Sequence, residues 1–182
     1  MSCSLVGSEM CIRDRYKEVP DPGFIHDLDA MAGAITSDTR LVFIANPNNP
    51  TGTMVDGGTI ERFLDRVPDH VIVVFDEAYH EFLEDPPDTI SHVRNRKNVC
   101  VMRTFSKAQG LAALRIGYGI APEEIADLLN KARQPFNANA MAQAGALAAI
   151  GDSEHVARTV KNNDEGLTFL QDSFDQRGLH YV

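Results

Sequence analysis

Cysteine is scarce in this sequence of 182 residues, cations are outnumbered by anions, and no long hydrophobic run occurs. Two of the three cysteines, Cys3 and Cys11, lie among the first eleven residues, and Cys100 stands alone inside an apolar run. That distribution is neither a disulfide framework nor a metal-ligand spacing. It predicts Cys100 as a small buried hydrophobe rather than a nucleophile. No cluster of His, Cys and carboxylates has ligand spacing either, so no metal site is expected. Against 26 Asp and Glu stand 17 Lys and Arg, leaving a net charge of −9 and a pI near 5.0. Nucleic acid and anionic lipid both demand clustered positive charge, so neither is an expected partner. No apolar stretch approaches the roughly 20 residues that span a bilayer. The opening MSCSLVGSEMCIRDR lacks the basic start and continuous apolar core of a secretory signal. These absences predict a soluble, cytoplasmic protein.

What is present is an ordinary globular composition, 43% apolar and 24% charged, with length for one good-sized domain or one domain and part of another. Residues 1–15 resemble a leader that recurs ahead of unrelated sequences, and they are expected to be extraneous and disordered. From Tyr16 onward helical and strand patterns alternate. Phe24, Leu28, Met31 and Ile35 repeat at threes and fours and predict a helix over 24–35. A second helix is expected from Thr59 to Val67. Leu41–Ala45 (LVFIA) and Val71–Phe75 (VIVVF) are apolar runs that stop abruptly at polar residues, which predicts buried strands. Val99–Met102 and Ile116–Ala121 are two further strands, with a short helix between Pro86-Pro87 and the first of them. Pro122 suits the first turn of the next helix, with Glu123 and Glu124 favoured near its positive end. An Ala-rich helix follows over Asn139–Ile150, and a long one from Ser153 to about Gln176. Gly178 fits the position after a helix, and Leu179–Val182 reads as a strand beginning. The alternation predicts an α/β fold, a three-layer arrangement around a mostly parallel sheet. Ligands of such sheets bind beyond the carboxyl ends of the strands.

Four groups of polar residues lie there. Asn46-Pro47-Asn48-Asn49-Pro50-Thr51-Gly52 follows LVFIA, Asp76-Glu77-Ala78-Tyr79 follows VIVVF, and Thr104-Phe105-Ser106-Lys107 follows the third run. Arg115 opens the fourth. Taken singly, each has a plain explanation: a turn, a helix cap or charged strand end, a solvated lysine, a surface ion pair. Taken together, Asp76 stands 27 positions after Asn49, Lys107 another 31 on, and Arg115 eight beyond that.

That ordered set resembles the fold-type I, pyridoxal-phosphate-dependent aminotransferases, and the resemblance implies a role for each residue. Lys107 is the amine that condenses with the cofactor's aldehyde, which it can do only in its neutral form; once freed, it moves the substrate's α-proton. Asp76 pairs with the pyridine nitrogen and keeps it protonated. Asn49 and Tyr79 hydrogen-bond the phenolic oxygen. Arg115, Ser106 and Thr104 grip the phosphate, the guanidinium by paired charge-assisted bonds; Thr104 and Ser106 could each do the hydroxyl's part alone. His80 and Glu81 are expected to be structural, and Glu77 a supporting or solvated carboxylate.

Longer stretches, LVFIANPNNPTGT, VIVVFDEAYHEF and TFSKAQGLAALRIGYGIA, resemble the histidinol-phosphate aminotransferase family. The implied reaction moves an amino group between L-glutamate and imidazole acetol phosphate, giving L-histidinol phosphate, in a homodimer. In this family the segment Arg133–Asn139 lies beside the substrate, so Asn137 or Asn139 could contact it, although Asn139 is as good a helix cap. The resemblance also implies that residues 16–150 are part of a cofactor-binding large domain. Residues 151–182 would be a connecting helix and the first strand of a small domain. The chain is then expected to be truncated at both ends and to have little activity alone. Two alternatives remain open: a related reaction on the same fold, such as threonine-phosphate decarboxylation or aromatic transamination, and a non-catalytic remnant or interaction module.

Overall fold

The computed structural model describes residues 23–182; the expected leader, Cys3, Cys11 and the stretch from Tyr16 to Pro22 lie outside the described residues. Strands β1 (Leu41–Ala45), β2 (Ile72–Asp76), β3 (Val99–Thr104) and β4 (Gly117–Ile120) form one sheet in the order β1-β2-β3-β4. The first three run parallel, and β4 is antiparallel to β3. The predicted α/β class with a mostly parallel sheet is therefore observed. The helices are α1 (Leu28–Gly33), α2 (Gly57–Leu64), α3 (Thr89–Asn95), α4 (Glu123–Ala132), α5 (Ala140–Ile150) and α6 (Ser153–Asp175).

Side chains alternate across a strand, and the alternation divides this sheet sharply. Ile44, Val73, Phe75, Val99 and Val101 point to one face and are fully buried against Leu28 of α1, Ile60, Phe63 and Leu64 of α2, and Val93 of α3. Burial of each such side chain contributes about 1.5–3 kcal/mol, so this face holds the sheet together. Leu41, Phe43 and Met102 point the other way and are exposed, Phe43 at 59%. Asp76 falls on this second face by the same alternation, two residues after Val74. Cys100 is buried, as predicted, and burial raises its thiol pKa, which keeps it protonated and inert.

Several boundaries differ from the sequence pattern for local reasons. The helix expected from Phe24 begins only at Leu28. The Asp27 carboxylate accepts from the Ala30 amide at 2.7 Å and sets the cap there, while Phe24 has a left-handed backbone (φ 53°). Helix α2 starts two residues earlier than Thr59, because Asp56 caps it through the amide of Thr59, and it stops at Leu64 rather than Val67. Pro122 occupies the cap itself, one position before the first turn, with Glu123 and Glu124 inside that turn. Leu179–Val182 forms no strand, since no neighbouring strand offers it a ladder among the described residues. Instead Leu179 N–H bonds to the Phe174 carbonyl (3.0 Å) and Gly178 N–H to Asp175 (3.1 Å), the paired bonds of a glycine-terminated helix, with Gly178 at φ +64°.

Candidate active site

The parallel register brings the carboxyl ends of three strands level: Ala45 pairs with Asp76, and Asp76 with Met102. The chemistry-bearing loops therefore leave the sheet side by side. The loop after β1 is closed by the buried side chain of Asn46, which donates to the Val55 carbonyl (3.1 Å) and accepts from the Val55 amide (2.8 Å) like a strand neighbour. Asn48 N–H to Thr53 O and Gly52 N–H to Asn48 O, both 2.8 Å, tighten the tip. Asn49 is left exposed on it, and its amide donates to the Tyr79 hydroxyl at 3.1 Å.

Asp76 is the last residue of β2 and accepts the Ala78 amide at 3.1 Å. Tyr79 follows, with the ammonium of Lys107 4.9 Å from its ring centre. Beyond β3, the Ser106 amide donates to the Thr104 hydroxyl (3.1 Å), which tightens the turn into Lys107. Arg115 has a left-handed backbone (φ 51°); its guanidinium donates to the Ser106 hydroxyl at 3.3 Å and to the Ala112 carbonyl at 2.9 Å.

Two adjoining cavities lie over these strand ends. One, of about 420 Å³, is walled by Asp76, Thr104, Ser106, Lys107 and Arg115, joined by Arg103. The other, of about 240 Å³, is walled by Asn49, Tyr79 and Pro47 and by Asp76 and Lys107 again. Asp76 and Lys107 thus border both, with cations and hydroxyls at one end and a phenol–amide pair at the other. Such a space offers an anion grip, an amine, a carboxylate and a polar ring-edge contact to one flat ligand. Asn137 and Asn139 do not line either cavity. Asn137 accepts from Arg133 at 3.4 Å, and Asn139 caps α5 by accepting from Ala142 N–H at 2.8 Å.

A buried polar cluster beneath the strand ends was not foreseen in full. Glu77, 3% exposed, is paired rather than solvated. Its backbone amide donates to Met102 O (2.9 Å), Thr89 donates its hydroxyl to Oε1, and Arg103 donates to Oε2 through Nε (2.9 Å) and Nη2 (2.8 Å). Arg103 Nη2 also reaches His80 Nδ1 at 3.3 Å. Burial, aided by the Arg103 charge and opposed by Glu77 and Glu81, lowers the His80 pKa and favours its neutral ring. The signal was available: Glu77 continues the inward alternation of Val73 and Phe75, and Arg103 that of Val99 and Val101. Nearby, the Gln109 amide donates to Glu81 Oε1 at 3.1 Å.

Comparison with known proteins bears on the family and the fold. The family model described as aminotransferase class I and II matches residues 2–179. The histidinol-phosphate aminotransferase of Akkermansia muciniphila is 55% identical over 168 residues, covering 92% of this chain and 46% of that protein. Histidinol-phosphate aminotransferase 1 of Cupriavidus pinatubonensis is 57% identical over 159 residues, 86% of this chain and 42% of its own length. The chain thus spans about half the length of these relatives. The crystal structure of the Sinorhizobium meliloti histidinol-phosphate aminotransferase, solved in complex with pyridoxal-5'-phosphate, superposes with a TM-score of 0.67 at 33% identity over 74% of this chain and 37% of that one. A match across nearly all of the sequence, joined to the shared fold, places the chain in the class I and II aminotransferase family.

Proposed function

We propose that this chain carries the pyridoxal-phosphate site of an enzyme that transfers an amino group from L-glutamate to imidazole acetol phosphate, giving L-histidinol phosphate. One observation carries the reading: Asp76 and Lys107 border the same two cavities, between an Arg115–Ser106 grip and an Asn49–Tyr79 pair. The choice of substrate rests on the histidinol-phosphate aminotransferases at 55% and 57% identity. It further takes the parent enzyme as a cytoplasmic homodimer. Apolar side chains that this chain leaves open, such as Phe136 at 95% exposure, are consistent with further protein packed there.

The residues present fit the cofactor. Its phosphate needs a cation and hydroxyl donors, which Arg115, Ser106 and Thr104 supply at one end of the larger cavity. Its ring is flat, and cavities of about 420 and 240 Å³ that share Asp76, Ala78 and Lys107 as walls suit a ligand of that size. When bound, the cofactor supplies an electron sink for the pair of electrons left by the departing α-proton. Asp76 holds a proton on the ring nitrogen by offering it a carboxylate. The Tyr79 hydroxyl and Asn49 amide, already hydrogen-bonded to one another, donate to the phenolic oxygen. The Lys107 amine would be the group that condenses with the aldehyde, and its freed Nζ would accept and then return the substrate's α-proton.

To test this, the chain is mixed with pyridoxal phosphate, reduced with borohydride and digested, and the labelled peptide is identified by mass. Label on Lys107, absent from Lys107→Ala, supports the reading; equal labelling of that variant refutes it. Substrate choice is read on the whole enzyme with glutamate and imidazole acetol phosphate. Release of carbon dioxide from threonine phosphate, or preference for an aromatic oxo acid, would transfer the assignment to a related reaction.

A further inference from the structure

The two groups on which the chemistry depends are not tied to each other. Among the described residues the Lys107 amine has no hydrogen bond or ion pair, only its approach to the Tyr79 ring. The Asp76 carboxylate, among the described residues, is engaged only by the Ala78 amide. The β2–β3 ladder cannot set their separation, because its last rung is Glu77 N–H to Met102 O, five residues before Lys107. Something past the ladder must hold the two turns together.

Among the described residues, hydrogen-bonded side-chain links cross between them at two places, one of them Arg103, which reaches both Glu77 and His80. Arg103 to Glu77 closes the strand ends from beneath. The other is Gln109 to Glu81, at 3.1 Å across 28 residues. Gln109 stands two positions after Lys107, and Glu81 two after Tyr79. The Lys107 turn is itself closed by Gly110 N–H to Lys107 O (2.9 Å), at a glycine with φ +71°, and buried Ala108 anchors its middle. Gln109 is therefore the outermost point at which this turn grips the Tyr79 turn. The link leaves two acceptor oxygens, Glu81 Oε2 and Gln109 Oε1, buried without partners among the described residues. Burying unpaired acceptors is unfavourable, so stability alone is a poor reason for the pair.

We infer that Gln109 is a positioning residue, which by gripping Glu81 holds the Lys107 amine over Tyr79 and facing the Asp76 side of the cavity. The inference rests on the cofactor role of Lys107. It requires the link itself rather than either residue type, so exchanging the partners preserves it.

The test uses the full chain and four forms: unaltered, Gln109→Ala, Gln109→Glu, and the exchange Glu81→Gln with Gln109→Glu. Two quantities are read: the rate at which pyridoxal phosphate becomes borohydride-trappable on Lys107, and amide hydrogen exchange over 105–111 without cofactor. Both single variants are expected to label about tenfold more slowly and to exchange faster over 105–111 while β1–β3 stay protected. The exchange variant is expected to recover to within about twofold of the unaltered rate. Singles that label at the unaltered rate, or an exchange variant as slow as Gln109→Glu, overturn the inference and leave the cofactor reading intact. An unaltered chain that never labels at Lys107 overturns both. If Gln109→Glu loses protection throughout the sheet, Gln109→Ala and the exchange variant decide.

Discussion

The Arg103–Glu77 pair allows the sharpest test of how this site is built. The side chains are 12% and 4% exposed, the Glu77 carboxylate accepts from Thr89 and Arg103, and its backbone amide donates to the Met102 carbonyl. Replacing Arg103 by Met keeps an unbranched apolar stem in place of the arginine methylenes but removes the guanidinium with its N–H donors and charge. Glu77 then keeps Thr89 and loses its cation, leaving a buried carboxylate uncompensated. Breaking a buried pair from one side costs about 3–5 kcal/mol, which for a chain of this size lowers the melting temperature by about 6–20 °C. If desolvation is the cause, removing the second charge relieves it. The double variant Glu77→Leu with Arg103→Met is then expected to be at least about 2 kcal/mol more stable than the sum of the two singles. Urea unfolding followed by circular dichroism gives all four corners of this cycle. A single substitution costing under about 1 kcal/mol, or strict additivity, would refute the view that this cluster is a desolvated, mutually dependent unit.

Three other outcomes follow from particular contacts. Asp76→Asn in the whole enzyme is expected to lower kcat by about a hundredfold or more while the cofactor dissociation constant, from fluorescence titration, moves by less than about tenfold, since the carboxylate acts on charge development rather than on grip. Gly117→Ala would put a Cβ 2.7 Å from the Arg103 carbonyl, a backbone atom that cannot swing aside, so β4 should part from β3 at a cost of about 1–3 kcal/mol, visible as lost amide protection at both strands. For His80 the folded pKa lies below the ordinary value of 6.5, so the unfolded chain binds the proton more readily and stability falls as pH drops below that value. His80→Gln should flatten the decline, and urea midpoints of both forms at pH 7.5 and 5.5 that shift in parallel would disprove it.

Much of the frame was readable from local pattern. LVFIA and VIVVF announce buried strands by their branched apolar residues, and each ends where a polar residue begins, so the positions of Asn46, Asp76 and Thr104 at strand ends needed no coordinates. Asn139 as a cap and Gly178 past a helix were legible for the same reason, because capping depends on a few adjacent residues. Some helix starts were misplaced where periodicity continued past a stronger local signal: Phe24 lies in phase with Leu28, yet Asp27 sets the boundary. The reversal of β4 was invisible, since an apolar run carries no direction.

Residue type, spacing and alternation therefore tell which residues can reach a strand end and which face inward, as short-range sterics and hydrophobicity act along the chain. They cannot tell which loops meet. That Asn49 touches Tyr79, that Arg103 neutralises Glu77, and that Gln109 reaches Glu81 depend on the parallel register of strands some 30 residues apart. Only packing of the sheet against α1, α2 and α3 imposes that register, because a slip of one residue would turn every core side chain to the wrong face.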